Sequence, residues 1–115
     1  MRKVVLFAFN GDPVCFVHVL LNAIDMKKRG YNVKVVIEGQ ATKLIPGLSN
    51  KDDFISEIFC QTLDEGLIEG VCRACSHKTG ALKDVEEQNL PLLADMSGHP
   101  SMAGFLENGF EIITL

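Results

Sequence analysis

A chain of 115 residues with 47% hydrophobic and 23% charged side chains has the length and balance of one globular domain that needs no metal or disulfide to hold it. Its 11 basic and 15 acidic residues leave a net charge of −4, with no basic block and no aromatic-basic interleaving, which argues against a nucleic-acid partner. No apolar run is long enough to cross a bilayer, so no membrane partner is expected either.

The opening "MRKVVLFAFNGD" pairs a charged tip with an apolar run, as a signal peptide does. The run is too short, and it ends in Asn-Gly-Asp-Pro rather than at a small-residue cleavage site. It reads instead as a first strand over Lys3–Phe9, apolar throughout and suited to burial on both faces of a parallel sheet. A cytoplasmic location with the four cysteines mostly reduced follows as the expectation.

Asp12 is placed to cap a helix that Pro13 begins. Val17, Leu20, Leu21 and Ile24 recur at helical spacing, Lys27, Lys28 and Arg29 complement the dipole of the last turn, and Gly30 stops it. "YNVKVVIEG" is a second strand of about six residues, joined to the first by a right-handed crossover. "GQATKLIPGLSNKDD" is irregular, with a helical turn near Ala41–Leu44. Asn50 is placed to cap a second long helix with Asp52 and Asp53 in its first turn. Phe54, Ile55, Ile58, Phe59 and Thr62 form its expected buried stripe, and Gly66 ends it. "LIEGVC" is the third strand, a helix follows around Ala81–Glu87, and "LPLLADM" is the fourth strand. Pro100–Glu107 reads as the last helix, stopped by Gly109, and "FEIITL" as the fifth strand. Alternating strands and helices imply an α/β three-layer sandwich around a five-stranded parallel sheet, for which the flavodoxin-like order 2-1-3-4-5 is expected.

In such sheets ligands gather at the carboxyl ends of the strands, at the switch point, expected here between strands one and three. Asn10, Gly11 and Asp12 leave strand one there, Cys72 leaves strand three, and Asp95, Ser97 and His99 leave strand four beside it. Cys72 opens "CRACSHKTG", with Cys75 at C-x-x-C spacing. Turn amides over Arg73–Ser76, with Arg73, Lys78 and His77 adding positive potential, predict a lowered thiol pKa at Cys72. Cys72 and Cys75 are therefore the candidate catalytic pair. Asn10, Gly11 and His99, by their place on the sheet, and Arg73, His77 and Lys78, by their charge, are candidate substrate contacts.

Other chemistries meet obstacles. Zinc needs four ligands; Cys72, Cys75 and His77 supply three, with His99 or Asp95 as the fourth, but a lone C-x-x-C is a weak metal signal. "FNGDPV" offers no hydroxyl and places a carboxylate where a flavin phosphate would sit. A Cys72–His99 hydrolase dyad would need an orienting carboxylate, for which Asp95 is the candidate. A small-ligand-binding module with no chemistry at Cys72 is the alternative from another class. Cys15 and Cys60 fall inside helices and read as small buried residues, and His18 as a structural or surface residue of the first helix.

The apolar first strand, the passage "AIDMKKRGYNVKVVIEG", a cysteine closing strand three, and Cys72, Ser76, Thr79 and Gly80 after it form a pattern. On these features the chain resembles the DsrE/DsrF-like proteins, small cytoplasmic sulfur-relay subunits and their uncharacterised relatives, over nearly its whole length. Thr79 stands where the sulfur-relay members usually carry Arg, and Cys75 is more typical of the small uncharacterised branch. The resemblance implies a single DsrE/DsrF-like domain over residues 1–115. It implies that Cys72 accepts a sulfane sulfur as a persulfide and passes it to a partner thiol, with Cys75 able to resolve it. It also implies a homo-oligomer, trimer or hexamer, a protein sulfur donor or acceptor, and no cofactor.

Overall fold

The structure is a computed structural model that describes residues 1–49 and 52–115. Its strands are β1 (Lys3–Ala8), β2 (Asn32–Ile37), β3 (Ile68–Cys72), β4 (Leu92–Leu93) and β5 (Glu111–Thr114), and its α-helices are α1 (Pro13–Lys28), α2 (Phe54–Asp64), α3 (Arg73–Thr79), α4 (Leu82–Glu87) and α5 (Met102–Glu107). All of their pairings are parallel. The α/β class and the five-stranded parallel sheet are as the sequence implies.

The strand order is not. It runs β4-β3-β2-β1-β5, where 2-1-3-4-5 was expected, so β2 lies between β1 and β3. The reason sits in β2 itself. Val35, Val36 and Ile37 are all 0% exposed, and an edge strand could not bury consecutive side chains on both faces. The chain therefore steps in one direction from β1 to β4 and reverses once, placing the switch between β1 and β5. At the carboxyl end of that junction the Leu115 carbonyl accepts from Phe9 N–H at 2.8 Å and from Asn10 N–H at 3.4 Å.

The two sheet faces are covered unequally. Val4, Leu6 and Ala8 of β1 face a broad core built with Phe16, Val19 and Leu20 of α1 (Pro13–Lys28) and Phe59 of α2 (Phe54–Asp64). Val5 and Phe7, on the alternate face, join Val36 and Phe110 under α5 (Met102–Glu107), where Phe7 and Phe105 meet edge-to-face at 5.7 Å.

Asp12 caps α1 as expected, its Oδ1 accepting from Val14 N–H at 2.7 Å ahead of Pro13. Asp53 caps α2, its Oδ1 accepting from Ile55 N–H at 3.0 Å; Asn50, the expected cap, lies outside the described residues. That start turns Phe54 outward, 61% exposed, and the fully buried stripe is Ser56, Phe59 and Thr62. The stretch Gly39–Ser49 is a 3₁₀ segment, longer than the single turn expected, with Ala41, Thr42, Ile45 and Leu48 buried. No helix among the described residues is long and apolar enough to cross a membrane.

Candidate functional site

The run after β3 was expected to be a turn, and it is a helix, α3 (Arg73–Thr79). Cys72 occupies the last position of β3 and the cap of α3 at once, and its sulfur accepts from Cys75 N–H at 3.4 Å. The Ser76 hydroxyl donates to the Cys72 carbonyl at 2.7 Å. Gly80 ends the helix in the left-handed region at φ +82°, which suits a residue with no β-carbon. Thr79, half-buried, shares a 2.7 Å hydroxyl contact with Thr42 and donates to the Cys75 carbonyl at 2.9 Å, tying α3 to the 3₁₀ segment.

β4 is only two residues long, paired to β3 as Val71↔Leu92 and Cys72↔Leu93. The chain then makes a tight turn in which Met96 and His99 exchange both backbone hydrogen bonds, at 2.7 and 2.8 Å. Ser97 (φ +47°) and Gly98 (φ +88°) form its corner. The Gly98 carbonyl accepts from Ala74 N–H at 2.8 Å, and a β-carbon on Gly98 would stand 3.1 Å from that of Ala74. The turn is therefore pressed against the first turn of α3, and it carries His99 onto the cysteines.

His99 Nδ1 lies 3.1 Å from the Cys72 sulfur and 3.8 Å from the Cys75 sulfur. The three atoms all lie within 4.8 Å of one another. Cys72 is 0% exposed, while Cys75 and His99 are half-buried and line a cleft of about 290 Å³ with Gly39, Gln40, Lys78 and Thr79. All four cysteines are free thiols.

The expected lowering of the Cys72 pKa is corrected by this geometry. Burial pushes its thiol from an ordinary 9.0 up to about 12, with Cys75 and the nearby Glu38 adding to the rise and the Cys75 amide opposing it. Arg73 and Lys78 do not reverse this, since both side chains are exposed. Glu38, at the end of β2, is itself buried, and burial raises its carboxyl pKa.

Of the remaining expected contacts, Lys78 lines the cysteine cleft, whereas Arg73 and His77 line a separate cleft with Ala74, Leu82, Ser97 and Gly98. His77 follows Cys75 by two residues, about 200° around a helix, and so leaves on another face. Gly11 packs against Gln40, one residue back from the cysteine cleft. Asn10 does not line that cleft: its side chain accepts from Asp12 N–H at 2.8 Å, beside the β1–β5 junction. Asp95 accepts from Ser101 N–H at 3.3 Å at the start of α5 and is not part of the cluster. Cys60, expected buried, is exposed, Cys15 is half-buried and His18 is exposed.

Over 98 residues the chain is 30% identical to the uncharacterized protein MJ0733 of Methanocaldococcus jannaschii, a match covering 85% of this chain and 78% of that protein. The chain belongs to the family of this archaeal protein. A stretch of 41 residues, 36% of this chain, is also 42% identical to an uncharacterized protein of Archaeoglobus fulgidus and covers 67% of it. No family model and no solved structure matches the chain.

For this member of the family, the arrangement defines what chemistry is within reach. Two thiols share one imidazole nitrogen, and one thiol opens to a cleft while the other lies beneath it. In the tautomer with Nδ1 unprotonated, His99 accepts from the Cys72 thiol and can take its proton. A hydrolase that attacks substrate directly from Cys72 is disfavoured by the burial of that sulfur. Sequence reasoning missed Glu38, Gln40, Thr42 and Gly98; for Gly98, the Ser-Gly dipeptide before His99 was the available signal of a tight turn.

Proposed function

We propose that this protein is a sulfur carrier and thiol-redox protein of the DsrE/DsrF-like kind, working through Cys72, Cys75 and His99. The observation that carries the reading is the His99 Nδ1 atom set between the two sulfurs at 3.1 and 3.8 Å. Sulfur enters at Cys75, the thiol that faces the cleft. The Cys75 thiolate attacks the outer sulfur of a donor persulfide; the donor's S–S bond breaks, its thiolate leaves, and Cys75 holds the persulfide. His99 then takes the Cys72 proton, and the Cys72 thiolate attacks that same outer sulfur. Cys75 departs as a thiolate and the persulfide rests on buried Cys72, screened from bulk reductant. Attack on the inner sulfur instead gives the Cys72–Cys75 disulfide and releases hydrosulfide, and an external dithiol must then supply two electrons to reset the pair.

The resemblance of "CRACSHKTG" to the sulfur-relay pattern supports this reading, with Thr79 in place of Arg as its departure. The cytoplasmic location, the homo-oligomer (a trimer or hexamer) and a protein sulfur partner belong to the same proposal; light scattering on the purified protein tests the oligomer. The functional test is intact mass after incubation of the reduced, chelator-treated protein with a persulfide donor. An adduct of about 32 Da is expected in the wild type and in Cys60→Ser, and none in Cys75→Ser. An adduct that survives in Cys75→Ser, or a wild type that shows neither the adduct nor the loss of about 2 Da of a Cys72–Cys75 disulfide, sinks the proposal.

A further inference from the structure

We infer that Cys72, Cys75 and His99 form a zinc(II) site in the reduced protein, with a fourth coordination position open to the cleft that Lys78 lines. The inference goes beyond the sulfur-carrier reading and does not rest on it. Among the described residues, these three are the group of His, Cys, Asp and Glu side chains whose ligand atoms gather within 4.8 Å.

The spacing suits the ion. Tetrahedral zinc with bonds of about 2.3 Å to sulfur and about 2.0 Å to nitrogen sets sulfur–nitrogen edges near ~3.5 Å. The two such edges here are 3.1 and 3.8 Å, on either side of that value. The donor set is also apt: two thiolates and an imidazole favour a borderline-soft ion that accepts tetrahedral geometry. Loading replaces the two thiol protons, which pass to solvent, with two zinc–sulfur bonds. The two thiolate charges then cancel the charge of the ion, so a half-buried site holds a neutral centre.

The backbone holds the ligands in place before any ion arrives. The Ala74–Gly98 bond at 2.8 Å locks the His99 turn to α3, and the Ser76–Cys72 bond at 2.7 Å fixes the carbonyl beside the first ligand. Cys72 lies beneath the cleft while Cys75 and His99 line it, so an ion among them presents its free side to that cleft. Three protein ligands and an open fourth position are the pattern of zinc sites that bind water or substrate. His77, the third ligand expected from sequence, is in the other cleft.

The test is a zinc titration of the reduced, chelator-stripped protein against a chromophoric chelator, with cobalt(II) as a spectroscopic stand-in. One zinc per chain is expected, with cobalt giving the intense ligand-field bands of a tetrahedral thiolate site. Replacing Cys72 risks the core, so Cys75→Ser and His99→Gln, checked for native circular dichroism, carry the test. Each is expected to weaken zinc about 100-fold or more, while His77→Gln and Cys60→Ser leave it unchanged. Substoichiometric zinc in the wild type, wild-type affinity in His99→Gln, or weakening by Cys60→Ser overturns the inference. The titration contains no sulfur donor and the persulfide assay contains chelator, so either reading can fail without the other.

Discussion

The two clefts that flank α3 make an instructive pair. One holds Cys75, Lys78, Thr79 and His99; the other holds Arg73, His77 and the corner of the turn at Ser97 and Gly98. In sequence His77 is the neighbour of the C-x-x-C pair and His99 is remote. In space His99 touches both sulfurs, and His77 lines a cleft without them. Proximity along a helix is periodic, so two residues of separation turns a side chain away. A tight turn pinned by one backbone bond brings another in from 24 residues beyond Cys75.

The largest expected effect separates the two histidines. His99→Ala should slow sulfur passage from Cys75 to Cys72 by about 100-fold, the scale of a lost general base, while His77→Ala leaves the rate unchanged. Rapid alkylation and peptide mass mapping at timed intervals measure it. Equal slowing by the two substitutions would erase the distinction between the clefts.

A smaller effect concerns the turn that delivers His99. Gly98→Ala places a β-carbon at φ +88° and 3.1 Å from the Ala74 β-carbon, and should cost about 1–3 kcal/mol in denaturant unfolding. Ser97→Gly, at φ +47°, should stabilise by up to about 1 kcal/mol through relief of left-handed strain. If both substitutions prove neutral, the turn is not the rigid element that positions His99.

The buried thiol sets a pH dependence. Its pKa is raised in the fold from 9.0 to about 12, so between those values the native state holds a proton that the unfolded chain has lost. The stability this contributes is complete below about pH 9 and is lost as pH rises toward about 12. The unfolding free energy measured across that window should fall less steeply in Cys72→Ala than in the wild type. The smallest effect is at Cys60, exposed on α2, where Cys60→Ser should change stability by no more than about 0.5 kcal/mol.

Much of this architecture was legible in the residues. Asp12-Pro13 marked the start of α1, "KVVLFAF" marked a buried strand, and Cys72 stood at a strand's carboxyl end before any contact was known. The strand order departs from the expected one, although the consecutive apolar residues of "VKVVI" carry the clue that β2 is interior. α3 escaped because seven residues show too little periodicity and because a cysteine is not a usual cap. Burial of Cys72 could not be weighed against its cationic neighbours from sequence, since desolvation depends on what packs over the sulfur. The meeting of His99 with the cysteines depends on a two-residue strand and a Ser-Gly corner, both set by tertiary contacts with β3 and α3.

Cys72 and Cys75 are proposed to work as one pair. Mild oxidation with a diazene oxidant, followed by alkylation and peptide mapping, tests it most directly. A single Cys72–Cys75 disulfide is expected, with Cys15 and Cys60 alkylated as free thiols. A disulfide that engages Cys15 or Cys60, or oxidation that leaves Cys72 and Cys75 unbridged, would contradict it.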